Sequence, residues 1–312
     1  MRKRVFAWLL SAAILAVMVV FLFNPNKYVG FVFEGLRVWA LNVLPCLFPF
    51  FFLSKLLIEL DCLDAVKRIF KPLTRFFKVP DEASYVFLVS LLSGYPVGVK
   101  TACELTEKGV FTADQCGEIC GFCNFAGPIF VMGTISAFFE SQKIGLIILI
   151  SVILGALLNG LLYVKKKKIL IEKAFVALPN ISVEKRKNLL NDCMFSAINS
   201  ILFVGGTIAV FYMFGQMISL SVPNCPALLS TIIDGILEMT SGSRSAAFLS
   251  NRFLGVVLAC AFLSFGGLCV FMQCCAFWEK AKVKISKMLL KKTTQTVVSV
   301  AVCILLCFLF KV

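Results

Sequence analysis

Two pentads stand out in an otherwise apolar chain: Gly98-Val99-Lys100-Thr101-Ala102 and Gly242-Ser243-Arg244-Ser245-Ala246. Both read glycine, any residue, a base, a hydroxyl, alanine. A cation held deep in hydrocarbon costs at least about 2.5 to 3.5 kcal/mol on insertion scales, so Lys100 and Arg244 need a counter-charge, water or a ligand. Two accounts compete. In one, the cations are paired internally, Lys100 with Glu104 at helical spacing and Arg244 with Glu238 across a hairpin tip. In the other, both face one midplane cavity and, helped by helix N-termini, attract an anionic or strongly polar solute.

Neutral polar groups surround the same places. Ser93, Tyr95, Asn124, Thr240, Ser241 and Ser264 lie beside expected helix breaks at Gly98, Gly127, Pro128, Gly242, Gly266 and Gly267. They would either bind the solute or cap the backbone groups that a break sets free. Glu104, Asp234 and Glu238 are left to pair with the cations or to hold a coupling ion. Other chemistry is harder to place. The chain has no histidine, no paired-carboxylate motif and no nucleophile elbow, so an enzyme is not expected. The run that would make Lys100-Thr101 a phosphate loop is absent. Cys116, Cys120 and Cys123 share a helix face and invite a soft metal, but in a chain of 14 cysteines a small, buried, apolar role explains them better. No metal or resident cofactor is expected.

The elements that must position these groups follow from composition. The 312 residues are 60% apolar, more than one soluble core can hide, and several apolar segments approach the roughly 20 residues that cross about 30 Å of hydrocarbon. The chain therefore reads as an all-α polytopic membrane protein. Its net charge of +14 is a topology signal and not a nucleic-acid footprint, because 22 of its 31 Lys and Arg fall in four short stretches: 2–4, 67–78, 165–187 and 280–292. Taken as cytoplasmic, these put the N-terminus inside a bacterial plasma membrane and give spans at 5–23, 36–58, 117–139, 144–164, 193–218, 253–278 and 297–310. Pro45 and Pro49 should bend the second span. The first span ends without a small-residue cleavage site, so it reads as retained. Residues 61–79 alternate apolar and basic positions, as in a helix lying flat on anionic lipid. Nearly all cysteines fall in expected spans, with Cys225 alone in an outer loop, so a disulfide framework is not expected.

Two short apolar pairs remain. Residues 83–92 stop at Ser93-Gly94-Tyr95-Pro96 and turn back, entering from the cytoplasm. Residues 228–239 stop at Thr240-Ser241-Gly242-Ser243 and turn back, entering from outside. Each is followed by a broken span, at Phe125-Ala126-Gly127 and at Phe265-Gly266-Gly267. The same parts in the same order, entering from opposite sides, make an inverted-topology repeat with two re-entrant helical hairpins, an arrangement typical of secondary transporters. The domains are then 1–28, an N-terminal span; 29–168, the first repeat; 169–190, a cytoplasmic linker; and 191–312, the second repeat.

At Ser93-Gly94-Tyr95-Pro96-Val97-Gly98-Val99-Lys100 and at Phe122-Cys123-Asn124-Phe125-Ala126-Gly127-Pro128 the sequence resembles the YlbJ family of sporulation integral membrane proteins. Thr240-Ser241-Gly242 and Leu263-Ser264-Phe265-Gly266-Gly267 fit the same family. It carries the nucleoside recognition, or Gate, domain, and the order of parts is similar to the concentrative nucleoside transporters. The resemblance implies that scaffold and a role in spore cortex formation; it does not imply a substrate. The expected partners are a small polar or anionic solute and membrane lipids, with a homo-oligomer left open. A non-transporting scaffold for sporulation machinery is the alternative.

Overall fold

The computed structural model describes residues 2–60, 63–163, 188–222 and 224–312, and among them every regular element is a helix. The lysine run 165–168 and most of the expected linker lie outside the described residues. The first helices are α1 (Arg2–Phe23), α2 (Pro25–Val38) and α3 (Leu44–Glu59), the last two joined by a π turn at Trp39–Val43. Pro25 opens α2, where a missing N–H is no loss. The π turn ends two residues before Pro45, which cannot close an ordinary helical bond to the turn behind it. The bend expected from the prolines therefore takes the form of a widened turn.

Helix α4 (Leu63–Phe77) is the basic amphipathic element. Its Phe70 and Leu73 pack on the core and Thr74 and Phe77 are buried, while Ile69 and Phe76 stay exposed. Lys67 pairs with Glu82 at 3.4 Å and Lys71 with Asp81 at 3.5 Å. Helices α5 (Ala83–Ser93) and α6 (Val97–Glu107) form the first hairpin. Then α7 (Ala113–Ile119) starts in a reciprocal cap, Gln115 N–H to Thr112 Oγ1 and Thr112 N–H to Gln115 Oε1. The chain next runs without helix through residues 120–127 before α8 (Pro128–Phe130), a π turn (Val131–Ile135) and α9 (Ser136–Phe138). The break expected at Gly127-Pro128 is thus an eight-residue stretch, with Pro128 at the first position of the restarted helix.

The second half repeats these parts. Helix α10 (Gln142–Tyr163) closes the first set, and α11 (Leu189–Ser221), α12 (Ala227–Leu237), α13 (Met239–Ala247), α14 (Arg252–Phe265), α15 (Gly267–Lys280) and α16 (Ile285–Phe310) follow. Counterparts pair across the molecule: α2 and α3 lie along α11, and α10 lies along α16. Five stretches among the described residues are long and apolar enough to cross a membrane: Pro25–Leu57, Gln142–Tyr163, Leu189–Ser221, Arg252–Lys280 and Ile285–Phe310. The chain is a multi-pass membrane protein. Of the seven expected spans, the third has only Pro128–Phe138 as its apolar helix, because the rest of it is the unwound stretch.

The second hairpin departs from expectation. It breaks at Glu238, whose φ of −140° and ψ of 115° are extended, and Thr240 to Ser243 lie inside α13. Gly98 and Gly242 are likewise not breaks but helical residues. Their function is close approach: a Cβ on Gly98 would overlap Ser90 Oγ, and one on Gly242 would overlap the Gly235 backbone. Each glycine lets the two arms of its hairpin touch. The breaks expected at Gly266 and Gly267 are present, with φ of 90° and 65°, values that glycine adopts without steric cost.

Candidate solute site at the hairpin tips

The tip of the first hairpin is built on the first break. Gly94 has a φ of 72° and leaves no room for a Cβ against Gly127, and the Tyr95 N–H donates to Phe125 O at 2.9 Å. The tip of the second hairpin is built on its own turn. The Glu238 carboxylate accepts from Thr240 N–H at 2.9 Å and from Ser241 N–H and Oγ, both at 2.8 Å. It caps the α13 N-terminus, where an anion is favoured by the free amides and the helix dipole. The two tips meet. The Tyr95 hydroxyl donates to Leu263 O at 2.9 Å, one turn before the second break, and lies against Met239 Sδ.

Between the tips lies a small chamber. Its polar wall is Ser93, Tyr95, Glu238 and Gln273; Leu47, Phe130, Ile208 and Val270 are among its apolar groups. A water centre has about 20 Å³ to occupy, room for a water or two. On its wall, Ser93 Oγ and Gln273 Oε1 are buried with no hydrogen-bond partner; Asn124 Oδ1, Thr240 Oγ1 and Ser243 Oγ, which do not line it, are buried in the same way. Each such group costs about 1 to 3 kcal/mol, and two of them on one wall call for a polar occupant.

One turn away along α3, α6, α11 and α15 is a second cavity, which shares Pro96 with the first. Lys100 lies on its wall. It donates to Ser200 Oγ at 2.8 Å and Ser196 Oγ at 3.3 Å, and stands 3.7 Å from Glu104. Lys55 bridges the same Glu104 at 3.3 Å and Glu59 at 3.2 Å. Two lysines and two glutamates therefore close the mouth of this path with balanced charge. The expected pairing of Lys100 with Glu104 is present alongside a polar cavity.

Arg244 is elsewhere. It is exposed on α13, no carboxylate among the described residues pairs with it, and it does not share a cavity with Lys100. Glu238, its expected partner, is committed to its own helix. Asp234 sits within the second hairpin, where Ser245 Oγ donates to its Oδ2 at 3.1 Å. The cysteine face is also rearranged: α7 ends at Ile119, and Cys116 Sγ lies 3.8 Å from Cys103 Sγ on the hairpin. No group of three ligating side chains fit for a metal occurs among the described residues.

Sequence reasoning passed over Gln273 and Lys292. Gln273 had a signal, an amide alone in an apolar run. Lys292 had none, for it continues the basic stretch from Lys280. In the fold it is 2% exposed, inside α16 rather than in a cytoplasmic segment. Its Nζ donates to Asn124 O at 2.9 Å and to Gln295 Oε1 at 3.3 Å, and it stands 5.5 Å from the Tyr95 ring centre.

Residues 40–138, from the π turn of the first long helix to the end of α9, match the family model described as Gate: Nucleoside recognition. The matched segment is what this chain shares with that family model. It holds the first hairpin, the first break and two walls of the chamber. Over most of its length the chain is 26% identical, across 299 aligned residues, to the sporulation integral membrane protein YlbJ of Bacillus subtilis, an alignment covering 84% of this chain and 73% of the relative. The resemblance expected from the motifs is borne out. No solved structure matches the chain.

Proposed function

We infer that the chain is a permease of a small polar solute in a bacterial plasma membrane, acting in sporulation as its relative's name indicates, with no catalysis of its own. The observation that carries this reading is the pair of buried, unpartnered polar atoms, Ser93 Oγ and Gln273 Oε1, on the wall of one chamber where two hairpin tips meet. Non-helical backbone and free polar groups at membrane depth are tolerable only where they line a cavity. The hairpins are read as re-entrant and the halves as inverted, on the scaffold of concentrative nucleoside transporters. Support comes from the ends of the bundle. The first hairpin opens beside Lys55, and the second leads to Arg252, which donates to Phe139 O, near the turn where Lys143 reaches Phe310 O. Lys280, Lys282, Lys284 and Lys287 follow or precede helix ends on the first side, which supports reading that side, with the N-terminus, as cytoplasmic.

The chamber favours a donor-bearing, uncharged solute over an anion. Its one acidic side chain is Glu238, and of the unpartnered atoms on its wall Gln273 Oε1 only accepts hydrogen bonds while Ser93 Oγ can accept or donate. Reconstituted vesicles tested with uridine, ribose and inorganic phosphate decide the matter: an uncharged probe should enter, and Ser93→Ala with Gln273→Leu should slow it. Native rates in both variants would end this reading. A membrane scaffold for sporulation proteins is the second reading, favoured by the exposed Ile69 and Phe76 on basic α4. It predicts that function follows α4 and is indifferent to Ser93 and Gln273.

A further inference from the structure

Lys292 presents a buried amino group with no carboxylate beside it among the described residues. Among the described residues its contacts are a backbone carbonyl, an amide oxygen and the face of a ring. The carbonyl belongs to Asn124, in the unwound stretch, where no helix amide is available to it. The amide oxygen is Gln295 Oε1, held in place because Gln295 Nε2 donates to the same Asn124 O at 3.1 Å. The ring is Tyr95, within the roughly 6 Å at which a cation is attracted to an aromatic face. Carbonyl oxygens replacing a hydration shell are how proteins hold desolvated small cations, and a covalently tethered ammonium meets the same demand. The side chain comes from α16 in the second half and reaches the break and the tip of the first.

We propose that this is a monovalent-cation site between the first break and the first hairpin tip, and that the Lys292 ammonium is its resident occupant. The tether supplies the charge that the freed carbonyl needs, so the native chain takes up no sodium or potassium there. Shortening the side chain exposes the site to small free cations. The inference stands whether or not the chamber moves a solute, because it concerns binding and is read from stability.

The test is thermal unfolding of the purified full-length chain in detergent, in chloride salts of sodium, potassium, ethylammonium and choline at equal ionic strength. The native midpoint should be the same in all four. Lys292→Ala should unfold several degrees lower in choline and recover saturably in sodium, potassium or ethylammonium, since an ion bound only by the folded state raises its stability by mass action. Lys292→Gln keeps a donor to Asn124 O and fills the space, so it should fold and respond to none of the cations. A native midpoint that rises with sodium overturns the proposal. So does recovery of Lys292→Ala in choline equal to that in sodium, native stability of Lys292→Ala in choline, or failure of that variant to fold in every salt.

Discussion

Glu238 is the residue on which the second tip depends. Its carboxylate takes three donors from Thr240 and Ser241, and a charge-assisted set of this kind is roughly twice as strong as a neutral one. Glu238→Gln leaves one oxygen to accept and should lower stability by about 1 to 3 kcal/mol, read as a fall in the unfolding midpoint. Arg244, which the pentad made its twin's equal, should behave oppositely. It is exposed and unpaired, so Arg244→Ala should change stability by no more than about 0.5 kcal/mol and leave solute uptake at the native rate. Lys100→Ala, by contrast, removes two serine contacts and one of the two lysines that face Glu104, and uptake should fall. The pentads were legible as equivalent pieces of chain. Their bases were not legible as unequal, because exposure on a nine-residue helix depends on which neighbours the hairpin meets.

At the scale of elements, the hairpins are held by contact between their arms. A Cβ at Gly242 would overlap Gly235, whereas one at Gly206 on α11 would meet nothing within 4 Å. Gly242→Ala should therefore cost about 1 to 3 kcal/mol or more through overpacking, and Gly206→Ala should be neutral or slightly stabilising, since alanine restricts the unfolded chain. Comparing the two midpoints isolates the packing effect from helix propensity. The order of long helix, hairpin, broken helix and closing helix could be read from apolar length and from glycine and proline. Three things could not. The turn of the second hairpin falls at a glutamate and not at a glycine, because a carboxylate that caps the following helix does the work of a flexible residue. The first break extends over eight residues because Tyr95 and Lys292 satisfy carbonyls that a helix would otherwise have used. Lys292 itself is inside because α16 begins at Ile285 and carries the last of the basic run into the bundle.

For the whole molecule, the two ends of the bundle give a labelling experiment. Cys225 is partly exposed in the loop between α11 and α12, on the side that the proposed topology puts outside. A thiol reagent that cannot cross lipid should modify it in intact cells, and Cys225→Ser should abolish that signal. A cysteine placed at Lys282 should react only after the membrane is opened. Reaction of both from the same side would contradict opposed hairpins. At the centre, beside the Lys292 and Gln295 bonds to Asn124 O, the Tyr95 phenol on Leu263 O joins the two tips' surroundings. That hydroxyl ties the first tip to the helix that leads into the second break, which makes it an interlock. Neither end can be unsealed by moving its own hairpin without letting go of the other, so Tyr95→Phe should leak solute in both directions where the native protein holds its gradient.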